Sequence, residues 1–311
     1  SYSDHKILPR GAWDIVEGGT YTRIQIIQQV RHSDLIKAFE DTQSDTSYMR
    51  GDTMTVKGIV TMPTGLSYAG AGIKFIFQEE DGGPWSSILS YNEDSTAYPQ
   101  LFEGDLIEMT GYIEEYRTGS ANMTEFFITS PVNILNFGLD TPTPDTVKTG
   151  DLIEPITAEQ WGNNIVVVKG AEVIDVDPGY ELFTIDDGSG PLKVDDDSDS
   201  LTGYVDPPLG AIFETVEGWV YHHYGSYETE DTYKLCPLYV EDLVYGSGPP
   251  TLTDVTRDPM VPGTSDAVTV SLNVATNGEI DVVDVKYRIN GGDFTDIAMT
   301  EDGAGLYSGA I

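Results

Sequence analysis

Nine aspartates, Asp175, Asp177, Asp186, Asp187, Asp195, Asp196, Asp197, Asp199 and Asp206, fall in one stretch of the chain and form its densest set of potential metal ligands. Hard cations such as Ca²⁺ take six to eight oxygens, and Asp-rich loops supply them. Asp195, Asp197, Asp199 and Asp206 even stand at positions 1, 3, 5 and 12 of a helix-flanked calcium loop. The match fails elsewhere: Ser200 stands where the turn glycine belongs, Asp206 is shorter than the usual Glu, and the flanks read as strands. The sequence therefore leaves two readings, an irregular Ca²⁺ site drawn from Asp175, Asp177, Asp186, Asp187, Asp195, Asp197, Asp199 and Asp206, or a solvated acidic loop.

Hydrolytic chemistry has no comparable footing. No Gly-x-Ser-x-Gly nucleophile elbow occurs, and His5, His32, His222 and His223 show no His-Glu-x-x-His spacing. Adjacent strand residues point to opposite faces, so His222 and His223 do not chelate one ion together without a bulge. Lone Cys236 sits among Leu235, Pro237 and Leu238 and reads as a small apolar strand residue. Aromatic residues remain: Phe75, Phe77, Tyr112, Tyr116, Trp219, Tyr221 and Tyr224 lie on strand-like runs. Inward-facing members pack a core, whereas Trp219, Tyr221, Tyr224, Tyr112 and Tyr116 together would make a stacking platform of the kind used for sugars or single strands.

The elements that must carry these residues are almost all strands. Short β-branched and aromatic runs, Thr53 to Thr61, Ile73 to Gln78, Leu106 to Tyr116 and Ile165 to Val168, are bounded by Gly, Pro, Asn or Asp. Tyr21 to Val30 also reads as a strand. The only helical candidates are Asp34 to Glu40 and Ala158 to Trp161, so the chain is expected to be all-β.

An internal repeat organises the middle of the sequence. Thr55-Val56-Lys57-Gly58 recurs as Val167-Val168-Lys169-Gly170, and Glu80-Asp81-Gly82-Gly83-Pro84 recurs loosely as Asp187-Gly188-Ser189-Gly190-Pro191. From the Asp-Gly turn to a later strand glycine is 30 residues in one copy, Asp81 to Gly111, and 31 in the other, Asp187 to Gly218. Each copy reads as about five strands in roughly 90 residues, the strand count of an OB-fold barrel.

At this point the sequence resembles the OB-like modules of secreted bacterial nucleases and of multidomain bacterial surface proteins. The resembling residues are Gly51 to Thr61, Phe75-Ile76-Phe77-Gln78 before Asp81-Gly82-Gly83, Gly104-Asp105 with Thr110-Gly111, and, in the second copy, Thr184 to Leu192 with Asp195-Asp196. Together they span about residues 20 to 246. The resemblance implies an extracellular or cell-surface location, and a chain that starts at Ser1 rather than Met is expected to have lost a signal peptide or an expression tag. The phosphodiesterase domain that accompanies such modules needs a sheet-and-helix sandwich of its own, and no segment of this chain is left to form one.

After Gly246-Ser247-Gly248-Pro249-Pro250, the period-two run Val268 to Val274 and the run Val283 to Ile289 before Asn290-Gly291-Gly292 look like a bacterial immunoglobulin-like or fibronectin-like β-sandwich. About 60 residues is short for such a domain, and the sandwich is expected to be incomplete. The expected organisation is an N-terminal arm, residues 1–20; two tandem OB-fold-like barrels, 21–137 and 138–246; and the sandwich, 247–311.

Charge narrows the partners. Among 311 residues, 52 Asp and Glu face 16 Lys and Arg, a formal net charge of −36. Such a chain repels phosphate backbones and anionic lipid, and no apolar run is long enough to span a membrane, so neither nucleic acid nor membrane insertion is expected. The function expected first is non-enzymatic: a secreted structural or adhesive protein, self-associating into an extracellular fibre by strand exchange or binding other extracellular proteins and glycans. Two alternatives stand beside it, accessory modules of a secreted nuclease or phosphoesterase, and a carbohydrate-binding module. Ca²⁺ is the one cofactor anticipated.

Overall fold

A computed structural model describes residues 21–30, 46–118, 121–176, 182–223, 233–246, 250–276, 280–303 and 305–311. The arm 1–20 and the helical candidate Asp34 to Glu40 lie outside these residues.

The first repeat folds into strands β1 (Thr53–Met62), β2 (Ile73–Gln78), β3 (Ser87–Asn92), β4 (Leu106–Thr118) and β5 (Ala121–Ile128). Period-two alternation puts Val56 and Val60 of β1 and Phe75 and Phe77 of β2 into one core with Ile107, Ile113 and Phe126. Pairing runs β1-β2-β3-β5-β4 and returns through β4 to β1, so the sheet closes. The β3–β5 contact is parallel and the other barrel pairings are antiparallel, which makes a five-stranded Greek-key barrel in OB-fold order. Strand β6 (Asn133–Asn136) extends β4.

The second repeat builds the same object. After β7 (Asp145–Val147) come β8 (Ile165–Asp175), β9 (Phe183–Asp186), β10 (Leu192–Val194), β11 (Ile212–His222) and β12 (Tyr233–Cys236). Their order, β8-β9-β10-β12-β11 with β11 closing on β8, repeats that of the first barrel, including a parallel β10–β12 pair. Strand β13 (Leu243–Tyr245) extends β11 as β6 extends β4. The two repeated glycines have one physical reason in common. A Cβ at Gly111 would clash with the carbonyl oxygen of Phe127, and one at Gly218 would lie 2.7 Å from that of Cys236, so each lets the fourth barrel strand approach the fifth.

Tyr21 to Val30 is not a strand. Its β-branched residues read as one, but Ile24–Ile27 form a helical turn, and Ile24 and Ile27, three apart, both bury completely against the first barrel's core. Ala158 to Trp161 falls where a helical turn, Pro155–Ala158, passes into a 3-10 turn, Glu159–Trp161.

The C-terminal region has two small sheets. Strands β14 (Thr251–Asp258), β15 (Thr269–Ala275), β19 (Leu306–Ala310) and β18 (Thr300–Gly303) form one in that order, and β16 (Asp284–Tyr287) with β17 (Thr295–Ala298) forms the other. Asn290 and Gly291, both at positive φ, make the β16–β17 hairpin turn. Leu272, Val274 and Met299 are the buried centre between the sheets.

Candidate binding cleft

Strand β2, Ile73-Lys74-Phe75-Ile76-Phe77-Gln78, is covered on both faces, and all but Ile73 are buried. Phe75 and Phe77 fill the first barrel. The outward residues need a second cover, which the other barrel provides. Met62, Ile76, Leu89 and Met123 pack against Trp219, Tyr221, Cys236 and Leu238 to form a third core between the barrels. Each fully buried residue of this type contributes roughly 1.5–3 kcal/mol, so the barrels are joined by more than a tether. Polar contacts reinforce the joint. The β1–β2 loop reaches over, with Tyr68 N–H donating to the Asp197 carbonyl at 2.9 Å and Asp199 N–H donating to the Leu66 carbonyl at 2.8 Å. Asn164 of the second barrel accepts from Ser87 N–H and donates to the Gly83 carbonyl.

At one end of this joint the barrels diverge and leave a cleft of about 640 Å³. One wall is an aromatic ladder. Trp219, Tyr221 and His223 alternate along β11 and its end, so their rings share a face: Trp219 to Tyr221 is 4.3 Å and Tyr221 to His223 is 4.8 Å between centroids. Tyr116, from the first barrel, stacks on His223 at 6.2 Å with an interplanar angle of 6°. Tyr68, Tyr91 and Phe127 complete the aromatic lining. His222 points the other way, stacking on Tyr233 at 3.9 Å with Nδ1 2.9 Å from the Asn122 carbonyl oxygen.

The floor is ionisable. Lys74 lies with its ammonium 5.2 Å from the Trp219 ring and 5.0 Å from the Tyr221 ring, and burial pushes its pKa down against the pull of Asp197. Burial raises the Glu125 carboxyl to about 8, with nearby Lys74 opposing the shift. Asp197, also on the lining, is raised by burial and by the neighbouring Asp195. Behind it the buried Lys234 ammonium donates to Asp195 Oδ2 at 3.2 Å.

The acidic residues singled out from sequence have separate employments. Asp195 pairs with Lys234, Asp197 lines the cleft, and Asp199 opens a 3-10 turn. Asp186 Oδ1 accepts from Gly188 N–H at 2.7 Å and Gly190 N–H at 3.0 Å. Burial alone would raise Asp187, but hydrogen bonds from Ser189 and Thr149 hold its carboxyl below the usual range. Asp175 and Asp206 are exposed, and Asp177 lies outside the described residues. Among the described residues, no three or more His, Cys, Asp or Glu are grouped so as to hold a metal ion. Of the aromatic platform, Tyr116 and Tyr221 meet in the cleft. Trp219 is only 1% exposed beneath Lys74, Tyr112 stacks on Phe127 at 5.5 Å, and Tyr224 lies outside the described residues. Sequence reasoning passed over Lys74 and Glu125, although a charge inside Ile-Lys-Phe-Ile-Phe and another before Phe-Phe-Ile is a visible signal. Cys236 is buried in the inter-barrel core, which raises its thiol well above the ordinary range.

No family model matches the chain, and no curated protein does. Solved structures with partial likeness include the OBody AM2EP06 bound to hen egg-white lysozyme, 22% identical over 32% of this chain and 92% of that one, with a TM-score of 0.23. The tetrameric p202 HIN2 is 16% identical over 64% and 91% respectively, with a TM-score of 0.29. A replication protein A heterotrimer bound to ssDNA is 12% identical over 61% and 50%, with a TM-score of 0.25. The OB assignment rests on the strand order described above.

Proposed function

We propose that the chain is a non-enzymatic adhesive protein that binds oligosaccharide in the cleft between its two barrels. The observation that carries this is the aromatic wall: Tyr116 joins the Tyr221–His223 stack and remains 40% exposed, and Tyr68, 68% exposed, stands at the rim. Sugar rings present a C–H face that packs on aromatic rings and hydroxyls that bond to carboxylates. Nucleic acid has the same need for aromatic surfaces but brings phosphates toward a chain of net charge −36. OB-type barrels take oligosaccharides as well as oligonucleotides on this kind of face. An extracellular setting belongs to the proposal. A glycan array probed with the purified chain tests it: binding to neutral oligosaccharides is expected, and silence across the array contradicts it.

The C-terminal sheets favour a second reading, assembly by strand addition. In chain order their arrangement, β14-β15-β19-β18 beneath β16, follows the A-B-E-D sheet and opposing C strand of an immunoglobulin-type sandwich. Among the described residues β16 pairs only with β17, and Leu252, in register beside buried Val274, is 55% exposed. A strand from a second copy laid along β16 would cover this face and satisfy the edge.

A further inference from the structure

Two side chains on the cleft floor are more than nine-tenths buried and have no hydrogen-bonding partner among the described residues. Lys74 is 5% exposed and Glu125 4%, and both line the cleft. The Trp219 and Tyr221 rings receive the Lys74 charge, but no described residue accepts a hydrogen bond from its ammonium, and none donates one to the Glu125 carboxyl, which feels Lys74 only as a nearby charge. Buried polar groups are ordinarily satisfied, and leaving one bare is costly. Among the described residues, the buried polar atoms left without a partner elsewhere, Thr61 Oγ1, Ser67 Oγ, Ser87 Oγ and Asn163 Oδ1, are uncharged, whereas the other buried charged side chains, Glu79, Asp105, Glu115, Glu159, Asp195 and Lys234, each have a hydrogen-bond partner. Lys74 and Glu125 are thus provided for by whatever enters the cleft.

Their chemistry selects the occupant. An anionic group would suit Lys74 but press on Glu125, Asp197 and Glu93, which all line the same space. A cationic group would suit the carboxylates but meet the Lys74 ammonium. A pair of neighbouring hydroxyls suits both, because one accepts from the ammonium and the other exchanges a hydrogen bond with the carboxyl in either of its protonation states. Resting on the oligosaccharide reading above, we infer that Lys74 and Glu125 together hold two adjacent hydroxyls of a neutral sugar ring, which makes the cleft selective for neutral over uronic or amino sugars.

Calorimetric titration of the full chain tests this with five probes: laminarihexaose, cellohexaose and mannohexaose as neutral ligands, hexagalacturonate as the acidic one, and fully deacetylated chitohexaose as the basic one. At least one neutral probe is expected to bind, at least 10-fold tighter than either charged probe, and Lys74→Met and Glu125→Gln are each expected to weaken it at least 10-fold. Lys74→Met keeps the aliphatic stem on Trp219. If it fails to fold, the isosteric Glu125→Gln decides alone. A neutral probe that binds equally to wild type and variants overturns the floor assignment while leaving the oligosaccharide reading standing, as does a charged probe that binds more tightly than the neutral ones. No binding by any probe overturns both.

Discussion

Glu125 concentrates the tension in this molecule at a single residue. Its carboxyl titrates at about 8 when folded, against an ordinary value of 4.5, because burial disfavours the charge. Between those values the folded chain holds one more proton than the unfolded chain, so stability falls as pH rises through the window and the whole penalty is present above it. That gap is worth on the order of 5 kcal/mol. Glu125→Gln removes the titrating group at constant shape. In thermal melts followed by circular dichroism, the variant is expected to exceed the wild type at about pH 9 and to match it at about pH 4; the same difference at both would contradict the assignment. Lys74 works in the opposite sense. Its pKa is lowered, so its penalty is present at neutral pH and is relieved only as pH rises past the folded value. For stability alone, apolar residues would serve better at both positions, as Ile76 and Leu89 do beside them.

At the scale of elements, strands were the legible part of the sequence. Ile73–Gln78 has the same bounds in sequence and structure, and the Asp-Gly turns fall between the second and third strands of both barrels. The repeat was readable because closing a five-stranded barrel imposes the same demand twice, a glycine where the fourth strand meets the fifth. Ile24–Ile27 was misread because four β-branched residues in the six from Thr22 to Ile27 favour a strand locally, whereas plugging the barrel end favours a helical turn. The cleft was half legible. Alternation put Trp219 and Tyr221 on one face, but which barrel would cover that face is tertiary information, and Lys74 was passed over inside a strand of apolar residues. At this scale also belongs the edge of β16 that no described strand covers. Light scattering across a rising concentration series is expected to show mass growing beyond one chain, and a monomer of unchanged mass at the highest concentration would contradict strand addition.

For the whole molecule, the defining feature is that two copies of one barrel share a third core and so act as one body with a cleft at the joint. The net charge of −36 opposes the approach of anionic ligands, and the Lys74 ammonium on the cleft lining opposes cationic ones, which leaves neutral ligands. Asp197, one of the aspartates in the acidic stretch, and the rings of Tyr116 and Tyr221 from the expected aromatic platform line one space, the first from a loop and the others from strands of different barrels. The direct test of this account is hydrogen exchange by mass spectrometry on the full chain, with and without a saturating neutral oligosaccharide. Protection is expected in peptides carrying Tyr68 to Lys74, Met123 to Phe127, Asp197 and Tyr221 to His223, which come together only at the joint. Protection confined to one barrel, or to the C-terminal sheets, would contradict a ligand site shared between the barrels.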